Sequence, residues 1–300
     1  MSILMDYKNL TDNFKIPVIG LGTWGIGGFM ETNSSNDEEA VQSIKDAIKL
    51  GYSHIDTAEL YGAGYTEALI GNAIKSLDRS KLIITSKVFK TNLKYDDVIA
   101  SCKKSLEKLQ TDFIDIYLIH APNPEIPLEE TMRAMDYLVE QGLIKFIGVS
   151  NFSVEQMQEA QKYSMNKIVA NQIPYNLATR NINLDRNTNN VGSCINMESE
   201  IIPYCQENDI IIMAYRPIER GFLLKPNSLL DRLSKKYGKT KAQIAINWLV
   251  SKKDIIAIPK STSIEHLKEN LGAIGWNLTD DDTKLLDEME FESPNVDKKN

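Results

Sequence analysis

The chain has 300 residues, of which 42% are hydrophobic and 25% charged, a composition that suits one large globular domain or two ordinary ones. A net charge of −7 argues against a general nucleic-acid surface or an anionic membrane as partner. Three cysteines, Cys102, Cys194 and Cys205, are odd in number and lack metal-ligand spacing, so we expect reduced thiols, no metal and a cytoplasmic protein.

The first fifteen residues lack the apolar core of a signal peptide, and no apolar run is long enough to span a bilayer. Residues 1–16 are expected to form a hairpin across the bottom of the domain, and Ile16-Pro17-Val18-Ile19 reads as a short strand. The next six residues, Gly20-Leu21-Gly22-Thr23-Trp24-Gly25, match G-x-G-x-x-G, the dinucleotide fingerprint. That fingerprint must open a helix directly. Here Ile26, Gly27, Gly28 and Phe29 follow, then a polar run to Asn36, which is loop chemistry. The Rossmann reading is therefore set aside.

Helical periodicity begins at Asp37. Residues 37–50 place Ala40, Val41, Ile44, Ala47 and Ile48 on one face, with Gly51 just past the end. Residues 95–109 and 128–141 repeat the pattern, with Met132 and Met135 as core packing. Between the helices lie short runs rich in Ile and Val, as strands buried on both faces read. Their ends fall at Gly22, Asp56, Lys87, His120, Ser150, Gln172, Tyr215 and Lys260. Eight strand–helix units in one domain of this length predict an α/β fold of the (β/α)8 barrel class. Two longer connections, the Asn-rich polar insert at 180–200 and the segment 216–228, are expected as loops over the active face.

In a barrel, reactive groups gather at the carboxyl ends of strands. Asp56, Lys87 and His120 end three consecutive strands, and Tyr61 lies in the loop after Asp56. Such a set makes a tuned proton donor. A free phenol is too weak an acid at neutral pH, a neighbouring ammonium lowers its pKa, and a carboxylate keeps that ammonium charged. An imidazole can orient the reacting oxygen. Taken singly, each has a plain structural reading. His120 could be a core histidine, Asp56 and Lys87 an ion pair, and Ser150-Asn151 the cap of the following helix. His54 is read as packing.

The segments "DTAELYG", "SKVF" and "LIHAP", in this order, resemble the aldo-keto reductase superfamily, and the resemblance covers nearly the whole chain. "GLGTWG", "GVSNF", "NQIPYN", "AYRP" and "IPKS…EN" resemble its remaining segments, and "YGAGYTE" is similar to prokaryotic and channel-β-like members. The resemblance implies an NADPH-dependent reductase of a small aldehyde or ketone, with NADH also possible. Tyr61 would be the general acid, Lys87 would lower its pKa, Asp56 would pair with Lys87, and His120 would orient the carbonyl. It also implies a cofactor track. Tyr215 would stack on the nicotinamide, Ser150, Asn151 and Gln172 would bond its carboxamide, and Thr23 would lie near its ribose. Arg216 and Pro217 would open a segment folding over the pyrophosphate. Lys260, Ser261 and Thr262 would approach the adenosine phosphates, and Glu269 and Asn270 the adenine. His266 stands where NADP-preferring members usually carry arginine, which would weaken discrimination against NADH. Trp24, Phe89, Tyr175 and Phe222 are expected to wall an open mouth. A monomer or weak homo-oligomer is expected. The alternative function is a weakly catalytic or non-catalytic nicotinamide-binding subunit resembling channel β subunits.

Overall fold

The computed structural model describes residues 5–180 and 196–291. Most of the polar insert, residues 181–195 with Cys194, lies outside the described residues.

Two antiparallel strands come first, β1 (Tyr7–Thr11) and β2 (Phe14–Pro17). Ile16 and Pro17, expected to begin the strand that feeds the glycine loop, belong instead to this hairpin. Eight parallel strands follow: β3 (Leu21–Gly22), β4 (His54–Asp56), β5 (Ile83–Val88), β6 (Ile114–Ile119), β7 (Ile144–Ser150), β8 (Ile168–Ile173), β9 (Ile211–Tyr215) and β10 (Ile255–Ile258). They are bonded in sequence order from β3 to β10. Parallel bridges from Ile19 to Ala257 and from Gly22 to Lys260 join the two edges, making the (β/α)8 barrel the strand count predicts.

Inside the barrel, Ile116, Leu118, Val169, Ile211, Met213, Ile256 and Ile258 form one apolar cluster. Leu10 and Ile16 of the hairpin are buried in the same cluster, and the ring of Phe14 meets Phe146 near the start of β7 at 4.9 Å. The hairpin thus covers the amino-terminal end of the strands. A larger apolar layer joins the outer face of the sheet to the helices, including Ile44, Ile70, Val98, Leu106, Met132, Met135 and Leu267. Fully burying one such side chain contributes about 1.5–3 kcal/mol.

Helices α1 (Asp37–Leu50), α2 (Tyr65–Ile74), α3 (Tyr95–Leu109), α4 (Leu128–Glu140) and α5 (Val154–Lys162) connect β3 through β8. α1 carries three acidic residues in its first turn and ends at Gly51 with φ 112°, as the dipole and the left-handed cap require. α5 is capped by Ser153 in a reciprocal box with Gln156, so Ser150 and Asn151 do not cap it. After β8 come α6 (Ile202–Glu207), α7 (Ser228–Tyr237), α8 (Lys241–Ser251), α9 (Ile264–Leu271) and α10 (Asp280–Glu288).

The glycine loop after β3 turns without a helix. Gly28 has φ 111°, and a Cβ there would sit 1.9 Å from the Glu31 carbonyl oxygen. The loop docks on the Tyr61 turn through Gly62 N–H to Phe29 O at 2.7 Å and Thr32 Oγ1–H to Gly62 O at 3.0 Å.

Candidate active site

Parallel strands deliver their last residues to one rim, and the four candidate catalytic side chains meet there. Lys87 has no exposed surface. Its Nζ donates to Asp56 Oδ2 at 2.9 Å, to the Thr57 carbonyl at 2.7 Å and to the Tyr61 hydroxyl at 3.2 Å. The ammonium therefore has three oxygen acceptors, which offset the cost of burying it. The second Asp56 oxygen accepts from Gln172 Nε2 at 2.7 Å. The Tyr61 and His120 rings meet edge to face, centroids 5.9 Å apart.

The electrostatics differ from the sequence expectation in one respect. Burial pushes the Tyr61 phenol up; Lys87 pulls it down and Asp56 pushes it up again, leaving it above its ordinary value. Lys87 therefore moderates the rise without overturning it, because burial is the larger effect. Burial opposes the Lys87 charge, yet Asp56 and Tyr61 outweigh burial and hold its pKa above the usual range. Burial, reinforced by Lys87, lowers His120 to about 3, so the imidazole is neutral. Its Nδ1 is buried without a partner.

Around this cluster the loops are tied together. Asn151, held at φ 62°, donates from Nδ2 to the His120 carbonyl at 3.1 Å and accepts from the Tyr215 hydroxyl at 2.9 Å. Ser150 Oγ donates to the Gln172 carbonyl at 3.0 Å. These residues lie together at the carboxyl ends of β7, β8 and β9. Thr23 has no exposed surface, and its hydroxyl donates to the Asp56 carbonyl at 2.7 Å. Its part is to hold Asp56.

Farther along the rim, Arg216 lies 5.5 Å over the Tyr215 ring. Glu219, Arg220 and Gly221 follow with φ of 43°, 52° and 87°. Asn176 fixes this segment, donating to the Arg216 carbonyl at 3.0 Å and to Glu219 Oε2 at 2.9 Å. Pro217 is buried within it. Burial first, and then the like charge of Arg216, lowers the Arg220 pKa. Arg220 escaped the sequence analysis; its only signal was a second arginine four residues after Arg216. Past β10, burial lowers Lys260, Ser261 is buried, and Ser263 caps α9. Thr262 and His266 are exposed and Glu269 is half-buried at this end. Asn270 is buried and bonded to Tyr52.

Two of the four aromatics expected in the substrate wall lie elsewhere. Trp24 lies at the mouth, 37% exposed, its ring 4.8 Å from Tyr61, and the Phe89 ring is 5.9 Å from His120. Tyr175 is not part of the wall. It is 1% exposed, packs on Trp248 at 5.4 Å and donates its hydroxyl to Glu198 at 2.7 Å. Phe222 is half-buried against the outer core, with the Lys225 ammonium over its ring. Phe29, 63% exposed and 5.6 Å from Trp24, extends the mouth instead. Among the described residues, no group of three or more His, Cys, Asp or Glu could hold a metal ion, and no helix is long and apolar enough to cross a membrane.

A closed parallel barrel with ionisable side chains at the carboxyl ends of its strands has the architecture of a barrel enzyme. Residues 18–290 match the model of the aldo/keto reductase family. The chain is 32% identical to the methylglyoxal reductase YeaE of Escherichia coli over 278 residues, covering 91% of this chain and 90% of that protein. It is 32% identical to a glyoxal reductase of Bacillus subtilis, covering 98% of each. Among solved structures, the thermostable aldo-keto reductase Tm1743 superposes with a TM-score of 0.87 at 45% identity, covering 94% of this chain and 99% of that one. An aldo-keto reductase of Klebsiella pneumoniae in complex with NADPH superposes at 0.83 and 31% identity, covering 95% and 94%. The chain belongs to the aldo/keto reductase family and is an oxidoreductase of that class.

Proposed function

We propose that this protein reduces a small aldehyde or ketone to the alcohol with NADPH, using Tyr61 as the proton donor. The observation that carries the reading is the single Lys87 ammonium shared between Asp56 at 2.9 Å and the Tyr61 hydroxyl at 3.2 Å, with His120 against the same phenol.

The donor set suits a nicotinamide dinucleotide. Ser150, Asn151 and Gln172 supply hydroxyl and amide groups at one end of the rim. Arg216, Arg220, Lys260 and the amino terminus of α9 supply positive charge at the other. Arg220 and Lys260 are both exposed on this rim, where their charges can meet a phosphate arriving from solvent. Bound there, the cofactor would supply hydride to the substrate's carbonyl carbon.

The chain's own residues then do the rest. Neutral His120 holds the carbonyl oxygen without competing for a proton. Tyr61, kept protonated by its raised pKa, donates to that oxygen as negative charge develops on it. Lys87 stabilises the phenolate left behind, and Asp56 with Gln172 keeps Lys87 in place. In the oxidative direction the same phenol must first lose its proton.

The relatives named for methylglyoxal and glyoxal reduction direct the first assay. NADPH oxidation in the presence of methylglyoxal should be catalysed by the wild type and lost in Tyr61→Phe. A kcat/KM higher with NADH than with NADPH would overturn the cofactor assignment.

A further inference from the structure

Glu59 stands between the two halves of the candidate site. It lies between Asp56 and Tyr61, and its backbone N–H donates to the Lys87 carbonyl at 3.3 Å. Its side chain reaches the neighbouring loop, where Oε1 accepts from the backbone N–H of Phe89 at 2.5 Å and from Asn92 Nδ2 at 3.0 Å. Phe89 is the first residue after β5, and its ring faces His120. The same loop is tied on its other side by Asn123 Nδ2 to the Lys90 carbonyl at 2.9 Å. Phe89 therefore has its backbone gripped at a point where no strand or helix holds it.

We propose that Glu59 is a positioning residue that fixes Phe89 against His120 and thereby sets the width of the substrate mouth. The role rests on the reductase reading above. The chemistry favours a carboxylate here. A backbone N–H donating to an ionised acceptor makes a shorter and stronger bond than to a neutral one, and a second donor from Asn92 restricts the rotation of the carboxylate. An amide at this position keeps one acceptor oxygen for the Phe89 N–H, whereas a methyl group keeps none. With the grip lost, the Phe89 ring leaves its edge-to-face contact, and a planar carbonyl substrate loses one wall without any change at Tyr61, Lys87 or His120.

The test compares Glu59→Ala, Glu59→Gln, Phe89→Ala and the Glu59→Ala/Phe89→Ala double variant. Three readouts are needed: kinetics with methylglyoxal and with 4-nitrobenzaldehyde, NADPH binding by fluorescence titration, and amide exchange of the segment containing Phe89 and Asn92. Glu59→Ala should raise KM for 4-nitrobenzaldehyde about tenfold, a change of about 1.4 kcal/mol in binding, with kcat and NADPH affinity held within about twofold. KM for the small methylglyoxal should move less. Glu59→Gln should restore most of the loss, and the double variant should be no worse than Phe89→Ala. Amide exchange in the segment should accelerate in Glu59→Ala and not in Glu59→Gln. Unchanged exchange in Glu59→Ala, an equal fall in kcat for both substrates, or additive losses in the double variant would overturn the proposal. A wild type with the expected exchange pattern and no turnover would overturn the reductase reading while leaving the grip on Phe89 standing.

Discussion

Lys87 and Asp56 form an ion pair at 2.9 Å whose side chains are 0% and 5% exposed. Removing either partner strands the other charge in the barrel, so Asp56→Asn and Lys87→Met should each destabilise the protein by about 3–5 kcal/mol. The double variant should lose clearly less than the sum of the two, because it strands nothing. Urea unfolding of the four proteins measures this, and strict additivity would mean that the pair does not act as a unit.

The directions of the pKa shifts at Tyr61 and His120 predict a flat pH profile for reduction. Tyr61 stays protonated because burial holds it above the ordinary phenol range, and His120 stays neutral because burial and Lys87 lower it to about 3. Steady-state kcat for reduction should therefore vary little between roughly pH 6 and 9. A limb centred near the ordinary histidine value would show that His120 titrates as if exposed.

His54, fully buried in β4 with Nε2 on Thr85 Oγ1 at 2.9 Å, acts as packing and gives the fold an acid-sensitive element. Burial lowers its pKa from 6.5 to about 4. A depressed histidine contributes stability that is present above its unfolded pKa and lost as pH falls through its folded one. The loss should approach about 3 kcal/mol near pH 4. His54→Gln should be less stable at pH 7 and show a shallower fall between pH 6.5 and 4 when unfolding is followed against denaturant.

Glu67 predicts the opposite slope. It has no exposed surface, accepts from Ser86 Oγ at 2.6 Å, and burial pushes its carboxyl from 4.5 up to about 6. The neutral form is favoured in the folded state, so this stability is complete below pH 4.5 and lost as pH rises through about 6. Glu67→Gln should be more stable than wild type at pH 8 by about 2 kcal/mol and equal to it near pH 4, as measured by thermal or denaturant unfolding.

Much of this molecule could be read from its residues, and the failures have identifiable causes. α1 and α3 were legible to the residue because each is one unbroken amphipathic stripe; α1 stops at Gly51, which adopts positive φ freely, whereas α3 stops at Gln110, held at φ 53° without a glycine's freedom. Four strand ends, Gly22, Asp56, Ser150 and Tyr215, fall where the apolar runs stop; the other four fall at Val88, Ile119, Ile173 and Ile258 rather than at Lys87, His120, Gln172 and Lys260, because backbone pairing and not side-chain polarity decides where a strand ends. Tyr175 misled because an aromatic just after a strand end resembles a pocket wall. What decides its place is Glu198, 23 residues later, which accepts its hydroxyl. The bond of Thr23 was not legible for a similar reason: its partner is the backbone of Asp56, and backbone acceptors leave no trace in composition. Ser153 outcompeted Ser150 as the cap of α5 because only Ser153 has a glutamine three residues ahead to close the box. The grip of Glu59 on Phe89 could not be read from sequence, since it joins a side chain to a main-chain N–H 30 positions away.

The cation set at the far end of the rim predicts the cofactor's affinity. Arg220→Ala should weaken NADPH binding about tenfold, because the arginine loses a phosphate partner, and should weaken NADH less if it meets the phosphate that distinguishes the two. Fluorescence titration of the protein with each nucleotide distinguishes a pyrophosphate contact, which would weaken both equally.

The most direct measurement of the central claim is single-turnover hydride transfer from NADPH to methylglyoxal, comparing wild type with Tyr61→Phe. Phenylalanine keeps the ring that packs on Trp24 and His120 and removes only the hydroxyl that Lys87 holds at 3.2 Å. The account predicts a fall in rate of about 10²–10⁴-fold with NADPH affinity unchanged. A Tyr61→Phe enzyme that turns over at the wild-type rate would contradict it.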